Sequence, residues 1–240
     1  MVPFVTLRAF NRPELHDLAR CRGRVDGRAD AFFASSSLVD RLVRALAARR
    51  ALSIKELAES FEFFGRVRRR LRSRTVVDLG AGHGLTGILL AVFEPRVEEV
   101  VLVDVRRPQN HHAVLAAITE VAPWAGAKVR YLEARLTEPG LVPAGAAIAA
   151  VHCCGQRSDR VVDVAIAGGS ALAIAPCCYS GTTPPGLEAV ERELGAAATA
   201  DVDRTYRLRA AGYRVDWAYL PEAVTPMNRI LIACPGSSHA

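Results

Sequence analysis

The stretch Val76-Val77-Asp78-Leu79-Gly80-Ala81-Gly82-His83-Gly84-Leu85-Thr86-Gly87 decides how the rest of the chain is read. A β-branched run ends on an acid, glycines follow at alternate positions, and an apolar helical pattern starts at Leu85. That order describes a strand, a tight loop and a helix N-terminus. In an open parallel sheet such a turn holds a nucleotide-like ligand, because glycines let backbone N–H groups approach it closely. Asp104 ends the next β-branched run, where it is positioned to accept hydrogen bonds from ribose hydroxyls.

Residues 82–87 also satisfy the G-x-G-x-x-G pattern of a dinucleotide loop. Their placement argues against a dinucleotide, since Asp78 and Gly80 come first and a pyrophosphate beside Asp78 would meet like charge. A ligand carrying a cation near Asp78 fits better.

Outward from this loop, β-branched runs fall at residues 75–79, 100–104, 128–133, 146–152, 170–176, 213–220 and 228–233. Most are separated by crossovers long enough for helices. The expected architecture is α/β: a seven-stranded Rossmann-like sheet, mostly parallel, with helices on both faces. Only residues 221–227 separate the last two runs, too few for a crossover helix, so the last strand is expected to run antiparallel.

Two amphipathic helices precede the sheet, at residues 36–50 and 53–71. The second opens on Ser53 with Glu56 three positions later, the pattern of a capping box. It runs into Arg66, Arg68, Arg69, Arg70, Arg72 and Arg74, six arginines in nine residues. We read residues 1–73 as an N-terminal helical, basic extension and 74–240 as the ligand-binding domain.

With 50% hydrophobic and 23% charged residues in 240, the chain is globular, and disorder or fibrous repeats are excluded. No apolar run approaches the roughly 18 residues of a membrane span, and residues 1–15 lack a basic-then-apolar signal pattern. The expectation is a cytoplasmic protein with no membrane partner. The net charge of +6 is uneven: residues 1–74 hold 17 Lys and Arg against 8 Asp and Glu, net +9, which leaves 14 against 17, net −3. A phosphate-binding surface on Arg66, Arg68, Arg69, Arg70 and Arg72 is one use of that surplus, and a solvated helix end is the other. Of the six cysteines, four form the adjacent pairs Cys153-Cys154 and Cys177-Cys178, which we take as reduced thiols.

Asp78-Leu79-Gly80-Ala81-Gly82-His83-Gly84 with Asp104 resembles motif I and the following acidic position of class I S-adenosylmethionine-dependent methyltransferases. The resemblance spans about residues 74–233 and implies that Gly80, Gly82 and Gly84 face the methionine part of S-adenosyl-L-methionine while Asp104 holds its ribose; Asp78, Ala81 and His83 belong to the same cofactor loop, with the His83 side chain either lining the cleft or pointing to solvent. Arg135 and Leu136 then take the adenine-facing position where many members place an Asp. His152-Cys153-Cys154-Gly155 with Ser158-Asp159, followed by Pro176-Cys177-Cys178-Tyr179, resembles a narrower subgroup. That subgroup includes tRNA 2′-O-methyltransferases of the acceptor stem and the C-terminal domain of a glutathione-transferase-like protein. The zinc-finger modules of those tRNA enzymes have no counterpart in residues 1–73.

The two cysteine motifs close the fourth and fifth expected strands, at the sheet edge where a cofactor lies. For transfer to oxygen or nitrogen, His152 or Asp159 serves as base and Tyr179 shapes the pocket, with the thiols as lining. For transfer to a pyrimidine carbon, Cys153 or Cys154 and Cys177 or Cys178 are thiolate nucleophiles. Burial as small hydrophobes and metal binding with His152 are the remaining readings; lining is preferred, and no metal is expected. Adjacent strand residues face opposite ways, so one of each pair at most meets substrate. His111 and His112 are expected on the surface, and Trp124 and Trp217 in the core or cleft wall.

The sequence reading is therefore an S-adenosylmethionine-dependent methyltransferase acting on RNA by direct transfer. Its rivals are a small-molecule methyltransferase under a helical lid and a noncatalytic factor that binds cofactor or RNA. Oligomeric state is left open.

Overall fold

The computed structural model describes residues 2–179, 181 and 184–236. Three helices come first: α1 (His16–Ala19), α2 (Leu38–Ala48) and α3 (Ile54–Val67). Then follow β1 (Thr75–Leu79), α4 (Leu85–Phe93), β2 (Glu99–Asp104), α5 (Asn110–Val121), β3 (Val129–Glu133) and β4 (Ala147–Val151). The chain continues through α6 (Gln156–Gly168), β5 (Leu172–Ala175), α7 (Glu188–Leu194), α8 (Ala196–Ala210), β6 (Tyr213–Tyr219) and β7 (Arg229–Pro235).

The strands form one sheet in the order β3-β2-β1-β4-β5-β7-β6, parallel except that β7 runs antiparallel to both β5 and β6. This is the seven-stranded, mostly parallel Rossmann-like sheet expected from the spacing of the runs. Strand order reverses between β1 and β4, which opens a crevice at their C-terminal ends.

Strand alternation divides the core. Val76, Val100 and Leu102 point to the face that carries α3, α4 and α5, whereas Val77, Val101 and Val103 point to the face that carries α6 and Leu208 of α8. The first of these cores continues through Phe61 and Phe64 of α3 into Phe4, Phe10 and Phe33 near the start of the chain.

The capping box at α3 is present: Ser53 Oγ accepts the Glu56 N–H at 3.2 Å, and Glu56 Oε2 accepts the Ser53 N–H at 2.8 Å. The helix stops at Val67, short of Leu71, whose N–H reaches the Val67 carbonyl through a turn at 3.1 Å. Within α3, Gly65 lets the N-terminal segment cross: a Cβ there would sit 2.2 Å from Thr6 Oγ1. The same segment is held by Glu62, fully buried, which accepts the N–H groups of Val5, Thr6 and Leu7 at 2.8–2.9 Å and pairs with Arg66.

Trp124 and Trp217 lie on the surface, 51% and 37% exposed, because the indole N–H of each already finds an acceptor there, in Val92 O and Thr205 Oγ1. His111 is the reverse case. It is buried in α5, where its Nδ1 lies 3.1 Å from the His83 carbonyl oxygen and its ring packs edge-on to Tyr131. No helix among the described residues is long and apolar enough to cross a membrane.

Candidate active site

A cleft of about 870 Å³ opens at the C-terminal ends of β1 and β4. Its floor is Asp78 and the loop Gly80 to His83, and one wall is the N-terminal half of α3, with Glu56 and Glu59. Val151, His152 and Cys177 form the opposite side, and the β6–β7 connection closes the end with Thr225 to Met227. Asn228 shapes that connection by bonding the Leu220 carbonyl at 2.9 Å.

The glycines of the loop divide by purpose. Gly80, Gly82 and Gly84 all take positive φ, which side chains rarely adopt. A Cβ at Gly82 would meet nothing within 4 Å and one at Gly80 only Cys153 at 3.9 Å, so these two leave room over the cleft. At Gly84 and Gly87 a Cβ would lie 2.5 Å and 2.6 Å from Leu102, so these two serve the packing of α4 on the sheet. Gly84, expected to face a cofactor, is thus turned to the core instead.

Asp78 is buried, and its Oδ2 accepts the Gly87 N–H at 2.9 Å. Burial raises its pKa to about 7, helped by the charge of Asp104, despite that bond. Asp104 braces the loop: its Oδ2 accepts the Gly82 N–H at 2.9 Å and its Oδ1 the Val105 N–H at 2.7 Å. His83 lines the cleft and accepts the Leu85 N–H on Nδ1 at 3.1 Å, while burial lowers its pKa.

His152 adopts φ +62°, left-handed and uncommon for a residue with a side chain. Its Nε2 lies 3.0 Å from Oε2 of Glu59, a buried acid that also pairs with Lys55. Burial would raise the Glu59 carboxyl, but the bonds from His152 and Lys55 outweigh it and hold the pKa below the usual range. Nothing in the sequence reading marked Glu59. The available signal was an acid at the spacing Glu56, Glu59, Glu62 on a helix most of whose other residues, Phe61, Phe63 and Phe64 among them, are core.

Several expected site residues lie elsewhere. Asp159 is bound by Arg204 at 2.9 Å and 3.0 Å and by Arg207 at 3.3 Å, which leaves it no role as a base. Tyr179 turns from the cleft to donate its hydroxyl to Asp201 at 2.7 Å, with the Arg204 guanidinium 5.7 Å over its ring. Asp159 thus ties the start of α6 to α8 through the fully buried Arg204, and Tyr179 ties the loop after β5 to α8 through Asp201. Arg135 is exposed, its N–H bonded to Glu138, and Leu136 packs against the α6 face beside a separate small cavity. Neither reaches the cleft.

The arginine run is largely paired with acids of the fold. Arg68 and Arg72 both bind the buried Glu94, at 2.5 Å and 3.0 Å; Arg70 pairs with Asp216 at 2.9 Å and Arg74 with Glu98 at 2.7 Å. Arg66 holds Glu62 and the carbonyls of Pro3 and Tyr219. Only Arg69 of the run lacks a carboxylate partner among the described residues; Arg72 and Arg74 are exposed as well but are paired, so the broad phosphate surface expected there narrows. Exposed Arg22 and Arg24 stand at the cleft rim instead.

All six cysteines are free. Cys153 is buried under Gly80, and burial pushes its thiol up to about 12. Cys154 faces the other way, its Sγ 2.8 Å from that of Cys177.

Residues 50–183, more than half of the chain, match a family model described as a methyltransferase domain. The chain belongs to that family. It is an S-adenosylmethionine-dependent methyltransferase. The family match begins ahead of α3 and so includes the helix that walls the cleft. A Xenopus laevis protein described as glutathione S-transferase C-terminal domain-containing is 24% identical over 197 residues, covering 67% of this methyltransferase and 31% of the relative. The chain thus spans about a third of that relative's length. The methyltransferase domain of bacterial CtHen1-C shares the fold at TM-score 0.50 and 13% identity, covering 76% of this chain and 100% of that one. The Methanococcus jannaschii fibrillarin pre-rRNA processing protein shares it at 0.50 and 14%, covering 69% and 68%.

The cleft fits the cofactor on its own chemistry. Open Cβ positions at Gly80 and Gly82 leave space over the loop, and a buried carboxyl faces where a cation would lie.

Proposed function

We propose that this methyltransferase transfers the methyl group directly to an oxygen or nitrogen of RNA, with His152 as the base. The observation that carries this reading is the Glu59–His152 pair at the cleft, 3.0 Å apart. An ionised carboxylate only accepts hydrogen bonds, so Glu59 favours the tautomer with the proton on Nε2 and leaves the lone pair on Nδ1. That nitrogen takes the proton from the attacking hydroxyl or amine, and Glu59 stabilises the imidazolium formed.

S-adenosylmethionine supplies a methyl on a sulfonium, which needs no further activation. The backbone of Gly80 to His83 would hold its methionine part, Asp78 its cationic side and Asp104 its ribose. With the cofactor so fixed, the remaining work is to align the nucleophile in line with the methyl group and to exclude water. A thiolate route through Cys153 is disfavoured, since burial pushes that thiol up to about 12 and keeps it protonated.

RNA is favoured as substrate by the exposed Arg22 and Arg24 at the rim, by the +9 charge of residues 1–74 and by the tRNA-methyltransferase resemblance of the two cysteine motifs. The second reading, a small-molecule acceptor, is favoured by α3 as a cleft wall, since about 870 Å³ lies within the range of small-ligand sites. Incubation with radiolabelled S-adenosylmethionine and separated RNA, protein and metabolite fractions distinguishes them. Label in RNA is expected; label in metabolites alone would replace the RNA reading with the second one. Cofactor binding without transfer to any fraction would replace both with a noncatalytic role.

A further inference from the structure

Methyl transfer as proposed uses no thiol, and three of the six cysteines meet. The Sγ atoms of Cys154, Cys177 and Cys178, from the loops after β4 and β5, all lie within 4.8 Å of one another. We propose that Cys154, Cys177 and Cys178 bind one thiophilic divalent cation of the zinc class, with a fourth position open at the rim of the cleft. This site stands apart from the choice of methyl acceptor.

The geometry is close to what such an ion needs. A tetrahedral zinc with sulfur ligands at about 2.3 Å sets its sulfurs about 3.8 Å apart. Here the Cys154 and Cys177 sulfurs are 2.8 Å apart and the whole set spans no more than 4.8 Å, so shifts of about 1 Å suffice. Cys177 and Cys178 are exposed, which gives the ion a path in, while Cys154 is buried and anchored.

The electrostatics agree. The Cys177 N–H donates to Cys154 Sγ at 3.0 Å, and the Cys178 N–H bonds it as well. Three thiolates around a divalent ion carry one net negative charge. The Arg157 guanidinium, 3.4 Å from the Cys154 carbonyl oxygen, lies close enough to offset it. An all-sulfur set selects zinc-class ions over magnesium or calcium, which prefer oxygen.

A bound ion would tie the β5 loop to the end of β4 two residues beyond His152. It would thereby be a positioning element for the proposed base. Among the described residues no His, Asp or Glu joins the three thiols, so the fourth ligand would be water or an incoming group.

The test uses tag-free full-length protein, prepared under reductant, loaded with zinc and desalted. One zinc per chain is expected for the wild type and for Cys21→Ser and Cys234→Ser, with at least tenfold weaker retention in Cys154→Ser, Cys177→Ser and Cys178→Ser. Cobalt in place of zinc should give sulfur-to-cobalt charge-transfer absorption that those three variants lose. Cys178→Ser changes an exposed residue and keeps the test readable if substitution of buried Cys154 disturbs folding. Zinc retained equally in all variants, no zinc retained by the wild type, or recovery of a Cys154–Cys177 disulfide as the stable form would each overturn the proposal.

Discussion

Glu59 Oε2 lies 3.0 Å from His152 Nε2, joining the N-terminal helix α3 to the end of β4 across 93 positions of sequence. The contact makes α3 part of the cleft chemistry as well as its wall. It also accounts for the left-handed backbone at His152, which carries the ring toward an acid on another element.

Glu59→Gln keeps a side chain of the same shape but removes the charge that fixes the histidine tautomer and stabilises its protonated form. Single-turnover methyl transfer should slow by about ten- to a hundredfold, with cofactor affinity changed little; His152→Ala should slow it by about a hundredfold or more. An unchanged rate in Glu59→Gln would reduce the pair to a packing contact.

Asp78 makes cofactor binding depend on pH. Its folded pKa of about 7 lies above the ordinary carboxyl value, so the free protein holds a proton there in mildly acidic solution. A nearby cation favours the ionised form, so binding below pH 7 must expel that proton, and affinity should rise from pH 5.5 to about 7.5 and then level off. Calorimetry in buffers of different ionisation enthalpy reads the proton released, and Asp78→Asn should flatten the profile. For the unliganded fold the sign is opposite. The raised pKa favours folding fully below the unfolded value of 3.8, and that contribution is lost as pH rises through 7.

The fold was legible because its signals are local. Alternating β-branched runs placed every strand to within one or two residues, and the Gly80–Gly84 loop announced the crevice. What could not be read were choices made by distant partners. Six consecutive-looking arginines suggest a surface until Glu94, Glu98 and Asp216 are brought beside them, and those acids are scattered over more than a hundred positions. Asp159 and Tyr179 stood in the right motifs at the right strand ends. Two unremarked residues of α8 hold them away from the cleft, Arg204 binding Asp159 and Asp201 accepting the Tyr179 hydroxyl. Glu59 was missed for the converse reason: an acid in a helix reads as solvated unless its partner is known.

Arg204 supplies the stability test of that clamp. It is fully buried between Asp159 and Asp201, and Asp201 also receives Arg229 at 2.8 Å and the Tyr179 hydroxyl. Arg204→Met would leave the buried Asp201 and the half-buried Asp159 short of positive charge, so unfolding free energy in urea should fall by about 3–5 kcal/mol. Adding Asp201→Asn should recover part of that loss.

Salt dependence separates arginines that hold the fold from arginines free to meet phosphate. Each phosphate neutralised adds about 0.7 to 0.9 to the slope of log affinity against log salt. Arg22 and Arg24 are exposed at the cleft rim, with Arg24 also donating to the Ala51 carbonyl at 3.1 Å, so their joint replacement by Ala should flatten the slope of RNA binding by about 1.5 while costing about 1 kcal/mol of stability for that one hydrogen bond. Arg68 and Arg72 share the buried Glu94, and Arg68 also lies 5.2 Å over the Phe64 ring. Replacing those two should leave the slope alone and lower stability by about 3 kcal/mol or more, because Glu94 loses both partners in a buried site. A flattened slope in the Arg68 and Arg72 variant, with none in the Arg22 and Arg24 variant, would move the RNA-contacting surface back to the arginine run.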